Sequence, residues 1–382
     1  MSPDLNCTPE TAEMRPAVRR FVSERLEPIA RQIDATGDIP AGALGELRSQ
    51  GYLGMRLPEA HGGGGFSLST YCLVMEEVAR SHRVFTTMLD FTSGLTPLAI
   101  ARYGSESQRG KYLRKIADGT WLTAFALTEP EAGSDAAAVR TRATRVDGGW
   151  RIDGLKHYIS GAHKAEVVMV IALTDPAKRA RGGITAFLVD KGTPGLQVSR
   201  VDKTIGSDPI ELAELRFDGC VVPDSAVLGE VGQGFEVAMS SLTSGRMGVS
   251  SACIGTSDRL IEIAVDHART RTTFGKPLAE RQAIQWMLAD SAMELAHARA
   301  LCYDTLRRID AGQDPGPAPA MVKLFCSEMA GRIADRVVQV MGGSGLIRGV
   351  PVERFYRDVR HYRIGEGASE VQRMLIARAM LR

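Results

Sequence analysis

The chain predicts an α+β molecule built in three parts, helical, then β, then helical. Two observations carry this. Apolar residues recur at three- and four-residue spacing toward both ends, and a middle stretch breaks into short β-rich runs separated by turn residues. The changes of texture divide the chain into an N-terminal α-helical domain over 1–119, a middle antiparallel β-domain over 120–230 and a C-terminal four-helix-bundle domain over 231–382.

From Glu13 to Gly119 the chain reads as helices broken by glycine and proline, with Val74, Val78 and the acidic pair Glu76–Glu77 in one amphipathic stretch. His61–Gly65 reads as a flexible turn between helices. As an oxyanion loop it would need a G-x-S-x-G elbow, which the chain lacks. The β-runs are Trp121–Leu127, Trp150–Ile159, Val167–Leu173, Ile184–Val189 and Leu215–Phe217, with turns such as Asp147–Gly149 and Thr193–Gly195. With no long helices between them, they predict an antiparallel sandwich or barrel. Beyond Gly234 the helices are long. Pro277–Ala311 carries Ile284, Leu288, Leu295, Cys302, Leu306 and Ile309 on one stripe of a helix about 50 Å long. Gly312–Pro317 ends it, and helices follow over Ala318–Met341, Val352–Tyr362 and Ser369–Arg382, the last opened by a Ser369/Gln372 capping box.

The charge balance, 47 Lys+Arg against 45 Asp+Glu for a net +2, argues against a nucleic-acid partner. The longest apolar run, Val167–Leu173, is far short of the roughly 20 residues of a membrane span. Met1–Arg20 holds Asp4, Glu10 and Glu13 and no apolar core, so neither a secretory signal nor a transit peptide is expected. Six scattered cysteines (Cys7, Cys72, Cys220, Cys253, Cys302, Cys326) without a C-x-x-C pair fit a reduced, cytoplasmic protein. No two histidines fall four apart, and no metal site is expected. The chain has no G-x-G-x-x-G and no G-x-x-x-x-G-K-[ST], which disfavours nicotinamide and nucleoside-triphosphate chemistry.

Three separated segments are unusual together: Phe125–Asp135 (FALTEPEAGSD), Gln339–Gly345 (QVMGGSG) followed by Glu353, Arg357 and Asp358, and Gly365–Arg373 (GEGASEVQR). With Arg271–Pro277 (RTTFGKP) and Gln282, they resemble the acyl-CoA dehydrogenase family, in order and spacing, across nearly the whole chain. The resemblance implies that family's fold, an FAD cofactor and α,β-dehydrogenation of an acyl thioester. The residues fit this chemistry. An α-proton needs a base, a hydride needs a redox cofactor because no side chain accepts one, and Glu366 between two glycines lets substrate approach closely. The backbone N–H of Glu366 can also donate to the thioester oxygen, and exclusion of water should raise its carboxyl from about 4.3.

Family members of a second type carry the base just before the arginine that matches Arg246. Here that position is Gly245, so the resemblance makes Glu366 the base. It also implies flavin contacts from Phe125, Leu127, Thr128, Gly133 and Ser134, from Tyr158, Ile159 and Ser160 in place of the usual Trp-Ile-Thr, and from Ala368, Ser369 and Glu370. Arg271, Thr273, Phe274 and Gln282, with Gln339, Gly342 and Gly343, are implied to hold the adenine and pyrophosphate of a neighbouring subunit's FAD, hence a homotetramer. For substrate, Ser134, Thr243, Arg246 and Gly367 are implied contacts, and Arg181, with Lys178 and Arg179, offers cations to the CoA 3′-phosphate. Electron-transfer flavoprotein is the implied acceptor.

Three departures matter. Thr243 replaces a frequent Asp, Gly206–Leu212 loses an arginine, and Ala368 replaces a common Thr. They leave open whether the acyl group rides on CoA or on an acyl carrier protein. An oxygen-using oxidase or monooxygenase on the same fold is a further alternative, disfavoured by the retained Glu366.

Overall fold

The computed structural model describes residues 9–206 and 209–381, and of 9–11 the backbone only. Cys7, Arg382 and the Ser207–Asp208 part of the Gly206–Leu212 segment lie outside the described residues.

Helices α1 (Pro9–Phe21), α2 (Glu27–Thr36), α3 (Ala43–Ser49), α4 (Leu68–Val78), α5 (Arg83–Ser93), α6 (Leu95–Tyr103) and α7 (Glu106–Ala117) form the N-terminal part, with a π turn, Val22–Leu26, joining the first two. The helix at Val74–Val78 is not amphipathic: every residue of α4 is buried. Glu76 and Glu77 can lie inside because cations meet them. Arg15 Nη1 reaches Glu76 Oε1 at 2.9 Å and Glu77 Oε1 at 2.6 Å, and Tyr303 Oη donates to Glu76 Oε2 at 2.6 Å. Burial pushes the Glu76 carboxyl up, and Arg299, Arg15 and Tyr303 more than offset it. The glycine turn after His61 is pinned rather than flexible, with the N–H groups of Gly63, Gly64 and Gly65 donating to Pro58, Gly54 and Leu57 carbonyls. Arg83–Tyr103 has the length and apolarity of a membrane span, but it is two helices broken at Gly94, and 72% of its apolar window is buried.

Strands β1 (Thr123–Ala126), β2 (Arg142–Val146), β3 (Gly149–Ser160), β4 (Val167–Leu173), β5 (Ile184–Asp190), β6 (Leu196–Asp202), β7 (Leu212–Pro223) and β8 (Val227–Leu228) make one eight-stranded sheet. The order is β6-β7-β3-β2-β4-β5-β8, with β1 on β4. The pairing is antiparallel, as expected, except that β1 and the tip of β2 run parallel to β4. Strand β4 is buried on both faces, which is why it reads as an unbroken apolar run. Val168 and Val170 face a core with Leu215 and Phe217, while Val167, Met169 and Ile171 face helices. β2 and β6, polar and largely exposed, have no such run in the sequence.

The C-terminal part holds α8 (Gly234–Thr270), a small hairpin of β9 (Thr272–Thr273) and β10 (Lys276–Pro277), α9 (Gln282–Asp310), α10 (Ala318–Met341), α11 (Pro351–Tyr362) and α12 (Ser369–Met380). α9 starts at Gln282, not Pro277, because the hairpin and a 3₁₀ turn, Leu278–Glu280, take up the preceding residues. Helix α10 touches α8, α9, α11 and α12. α4 crosses α8 where Gly255 lets the backbones meet: a Cβ there would lie 2.7 Å from the Glu76 carbonyl carbon. N- and C-terminal helices therefore share one apolar core, running from Val18 to Tyr362.

The expected capping box at α12 is absent. Ala368 is the N-cap, and Ser369, inside the helix and buried, donates from Oγ to Glu328 Oε1 at 2.7 Å. Gln372 turns instead to the preceding loop, its Nε2 donating to the Glu366 and Gly367 carbonyls at 3.1 and 2.9 Å.

Candidate active site

Glu366 lies in the turn between α11 and α12 with φ +56°, left-handed backbone that a non-glycine residue adopts only when its surroundings hold it. Those surroundings are specific. Gly365 N–H donates to the His361 carbonyl at 3.0 Å, Lys323 Nζ donates to the Gly367 carbonyl at 2.6 Å, and Gln372 adds its two bonds. The carbonyls are thereby tied down. No acceptor among the described residues takes the Glu366 N–H.

The residue as a whole keeps partial exposure, but its Oε2 is buried and has no hydrogen-bond partner. It abuts α8: a Cβ built on Gly245 would lie 2.8 Å from Glu366 Cδ. Positions 245 and 366 thus converge on one point in space. Burial first, then the nearby Asp90 charge, raises the Glu366 carboxyl to about 8, with Arg246 and Lys323 pulling the other way. Arg246 is largely enclosed, its Nε unpartnered, and desolvation lowers its affinity for a proton. Lys323 is fully buried in α10 and pushed down to about 8 by desolvation.

Sequence reasoning missed Lys323, Asp90, Tyr71 and Arg56. Arg56 Nη1 donates to Ser244 Oγ at 2.7 Å, next to Gly245. The available signal was a charge inside an apolar helix, as in Val322-Lys323-Leu324 and Leu89-Asp90-Phe91.

On the β-domain side, the turn after β1 is pinned by a buried ion pair. Lys156 Nζ donates to the Leu127 carbonyl at 2.9 Å and to Glu129 Oε1 at 2.7 Å, and His157 N–H donates to the Thr128 carbonyl at 2.9 Å. Glu129 accepts in addition from the backbone N–H groups of Arg140 and Thr141. A register shift between Lys156 and Ile159 turns Tyr158 outward at φ +59°, 57% exposed and stacked on His157 at 3.8 Å. Ile159 points the other way, into the β core, so only its backbone can meet a cofactor. Phe125, Leu127, Thr128 and Ser160 are half-buried, Gly133 and Ser134 exposed.

Two groups of the remaining expected residues lie at the hairpin after α8 and at the end of α10. Arg271 and Phe274 are exposed in the hairpin after α8, Phe274 by 98% and at φ +49°, with Thr273 half-buried between them and Gln282 exposed at the start of α9. Gln339, Gly342 and Gly343 are exposed at the end of α10. No backbone hydrogen bond among the described residues joins either group to Thr128 or Tyr158. Thr243 is half-buried on α8, Arg181 is exposed in the β4–β5 loop, Ala368 and Gly367 are half-buried and Glu370 exposed. The side chain of Ser369 is spent on Glu328, leaving its backbone for any ligand.

These residues fit a flavin dinucleotide. Gly133, Gly342 and Gly343 have open space where a Cβ would stand, so their N–H groups can be approached closely, and Tyr158 and Phe274 are exposed aromatic rings.

Family profiles for the acyl-CoA dehydrogenase N-terminal, middle and C-terminal domains match residues 8–120, 124–220 and 232–381. The chain belongs to the acyl-CoA dehydrogenase family. It is 35% identical to an acyl-CoA dehydrogenase of Bacillus subtilis, with 99% of each chain covered. The butyryl-CoA dehydrogenase structure of Megasphaera elsdenii superposes with a TM-score of 0.93 at 34% identity, covering 99% of this chain and 100% of that one. The prolyl acyl carrier protein oxidase AnaB does so with a TM-score of 0.93 at 25% identity, covering 98% and 99%. Like other acyl-CoA dehydrogenases, this is an FAD-dependent oxidoreductase.

Proposed function

We propose that this acyl-CoA dehydrogenase oxidises an acyl thioester to its trans-2-enoyl thioester, with Glu366 as the base. The carrying observation is the Glu366 carboxylate, buried against Gly245 with Oε2 unpartnered. A carboxylate so placed, raised to about 8, is matched to taking a weakly acidic α-proton near neutral pH. The free Glu366 N–H would donate to the thioester oxygen and stabilise the charge that develops there. Bound FAD would supply the acceptor for the β-hydride, so that one α C–H and one β C–H bond break, the proton passing to Glu366, and a C=C bond forms. Leu127, Thr128 and Tyr158 would flank the flavin, the first held by Lys156 and the second by the His157 N–H. Arg246 and Lys323 limit how far the carboxyl rises and keep it ionisable.

Acyl-CoA is the expected substrate and electron-transfer flavoprotein the expected acceptor. A second reading places the acyl group on a carrier protein. It is favoured by the likeness to AnaB, a prolyl acyl carrier protein oxidase, and by Thr243. Exposed Phe274, Trp286, Leu346 and Ile347 on the C-terminal part support a homo-oligomer in which a second subunit covers them and completes the nucleotide site.

The test is flavin bleaching. Purified protein is mixed without oxygen with a panel of CoA thioesters and with their carrier-protein equivalents. Bleaching by a thioester, lost in Glu366→Gln, is expected. Full bleaching in that variant would refute the role of Glu366, and the faster carrier decides between the two readings.

A further inference from the structure

Helix α5 is buried except along one stripe, Arg83, Thr87 and Asp90, which the four- and three-residue spacing places on a single face. That face looks toward the Glu366 turn. The Arg83 guanidinium lies over the Tyr362 ring at 5.4 Å, at the end of the helix that leads into the turn. Asp90 is the foremost charge acting on the Glu366 carboxyl, and the Tyr71 hydroxyl feels both carboxyls. Tyr71 in turn packs on α8 one turn beyond Gly245, where a Cβ on Gly248 would stand 3.3 Å from its ring. Asp90 and Tyr71 are therefore electrostatic neighbours of Glu366 on the side of α8 that carries Gly245.

The Asp90 carboxylate lies over Gly94, at the end of its own helix, where a Cβ would collide with it. Among the described residues no donor or cation reaches its carboxylate, whereas the buried Glu76, Glu77 and Glu129 are each met by an arginine or a lysine. Enclosure alone raises it, to about 6, so it is ionised at neutral pH. It also keeps some accessible surface, as a group lining a cavity does. A plain hydrocarbon chain laid against an ionised, desolvated carboxylate is penalised, whereas a donor on the chain restores the lost hydrogen bond.

We propose that Asp90 selects acyl groups bearing a hydrogen-bond donor, a hydroxyl or an amine, beyond the α-carbon. The inference rests on the dehydrogenase reading and adds the substrate class. A buried polar group left unpaired by the wrong substrate is the stronger kind of discriminator, and a preference of tenfold or more over the unsubstituted chain is expected.

The FAD-loaded protein is assayed for flavin reduction with pantetheine thioesters, the portion that CoA and carrier proteins share. Butyryl is compared with β-hydroxybutyryl, and hexanoyl with ε-hydroxyhexanoyl. The hydroxylated partner of at least one pair should win by tenfold in kcat/KM. Asp90→Ala should lower kcat/KM for that partner and raise it for the plain chain, opposite movements that general damage to the fold does not produce. Asp90→Asn, which keeps the shape and loses the charge, should fall between. Reduction by plain chains with no hydroxyl preference, or a preference unchanged in both variants, overturns the role of Asp90 and leaves the dehydrogenase reading standing. Reduction by none of the four overturns both.

Discussion

The backbone of Gly245 lies against the carboxylate of Glu366, so close that a Cβ on the glycine would stand 2.8 Å from the carboxyl carbon. A helix and a turn far apart in the sequence thus present the same point to a ligand, and the helix must be bare for the turn to carry a charged group there. Gly245→Ala should push the carboxylate off its position and slow flavin reduction by about tenfold to a hundredfold, since misplacement by an ångström is costly. Stopped-flow reduction of the holoenzyme checks this; an unaltered rate would mean that Glu366 is free to move.

The pH dependence has a definite sign. A base must be ionised, and the Glu366 carboxyl is raised to about 8 by burial and by Asp90. Flavin reduction should therefore climb with pH and level off above about 8. Asp90→Ala, by removing the like charge, should move the rise to lower pH.

The same group affects stability in the opposite direction. Its folded-state affinity for a proton exceeds that of an unfolded glutamate, so stability is fully present below the ordinary carboxylate range and is lost as pH rises through about 8. Glu366→Gln should raise Tm relative to the parent, and by more at pH ~8 than at pH ~5 because only there is the buried charge lost. Thermal melts at the two pH values read this directly.

Lys156 holds the turn expected to face the flavin, through Leu127 and Glu129. Lys156→Met leaves Glu129 buried without its cation and should cost about 3–5 kcal/mol of stability, together with weaker FAD retention. Glu129→Gln on top should recover part of the Tm. Calorimetry with flavin absorbance separates the two effects.

Arg271 stands exposed beside Phe274 in the hairpin after α8. If a neighbouring subunit's FAD lies there, Arg271→Ala should lower FAD content and assembly mass together, measured by absorbance and light scattering. Loss of neither would refute a shared nucleotide site.

Much of this protein was written locally. Strand β4 announces itself because both its faces are dry, and α10 was legible to the residue because its apolar stripe runs between a proline-rich start and a glycine end. Glu366 stood out because glycines flank it. What local pattern could not supply was partnership. Glu76 and Glu77 look like a solvated helix face until Arg15, Arg299 and Tyr303 arrive from other helices. Ser369 and Gln372 look like a cap until Glu328 and the Glu366 turn claim them. Asp90 is only a lone carboxylate in an apolar run until the fold sets it beside Glu366 and gives it no cation. Periodicity and turn chemistry act over a few residues and can be read along the chain. The energy of a buried charge depends on what surrounds it in three dimensions, and only the packing of α4, α5, α8 and α10 decides that.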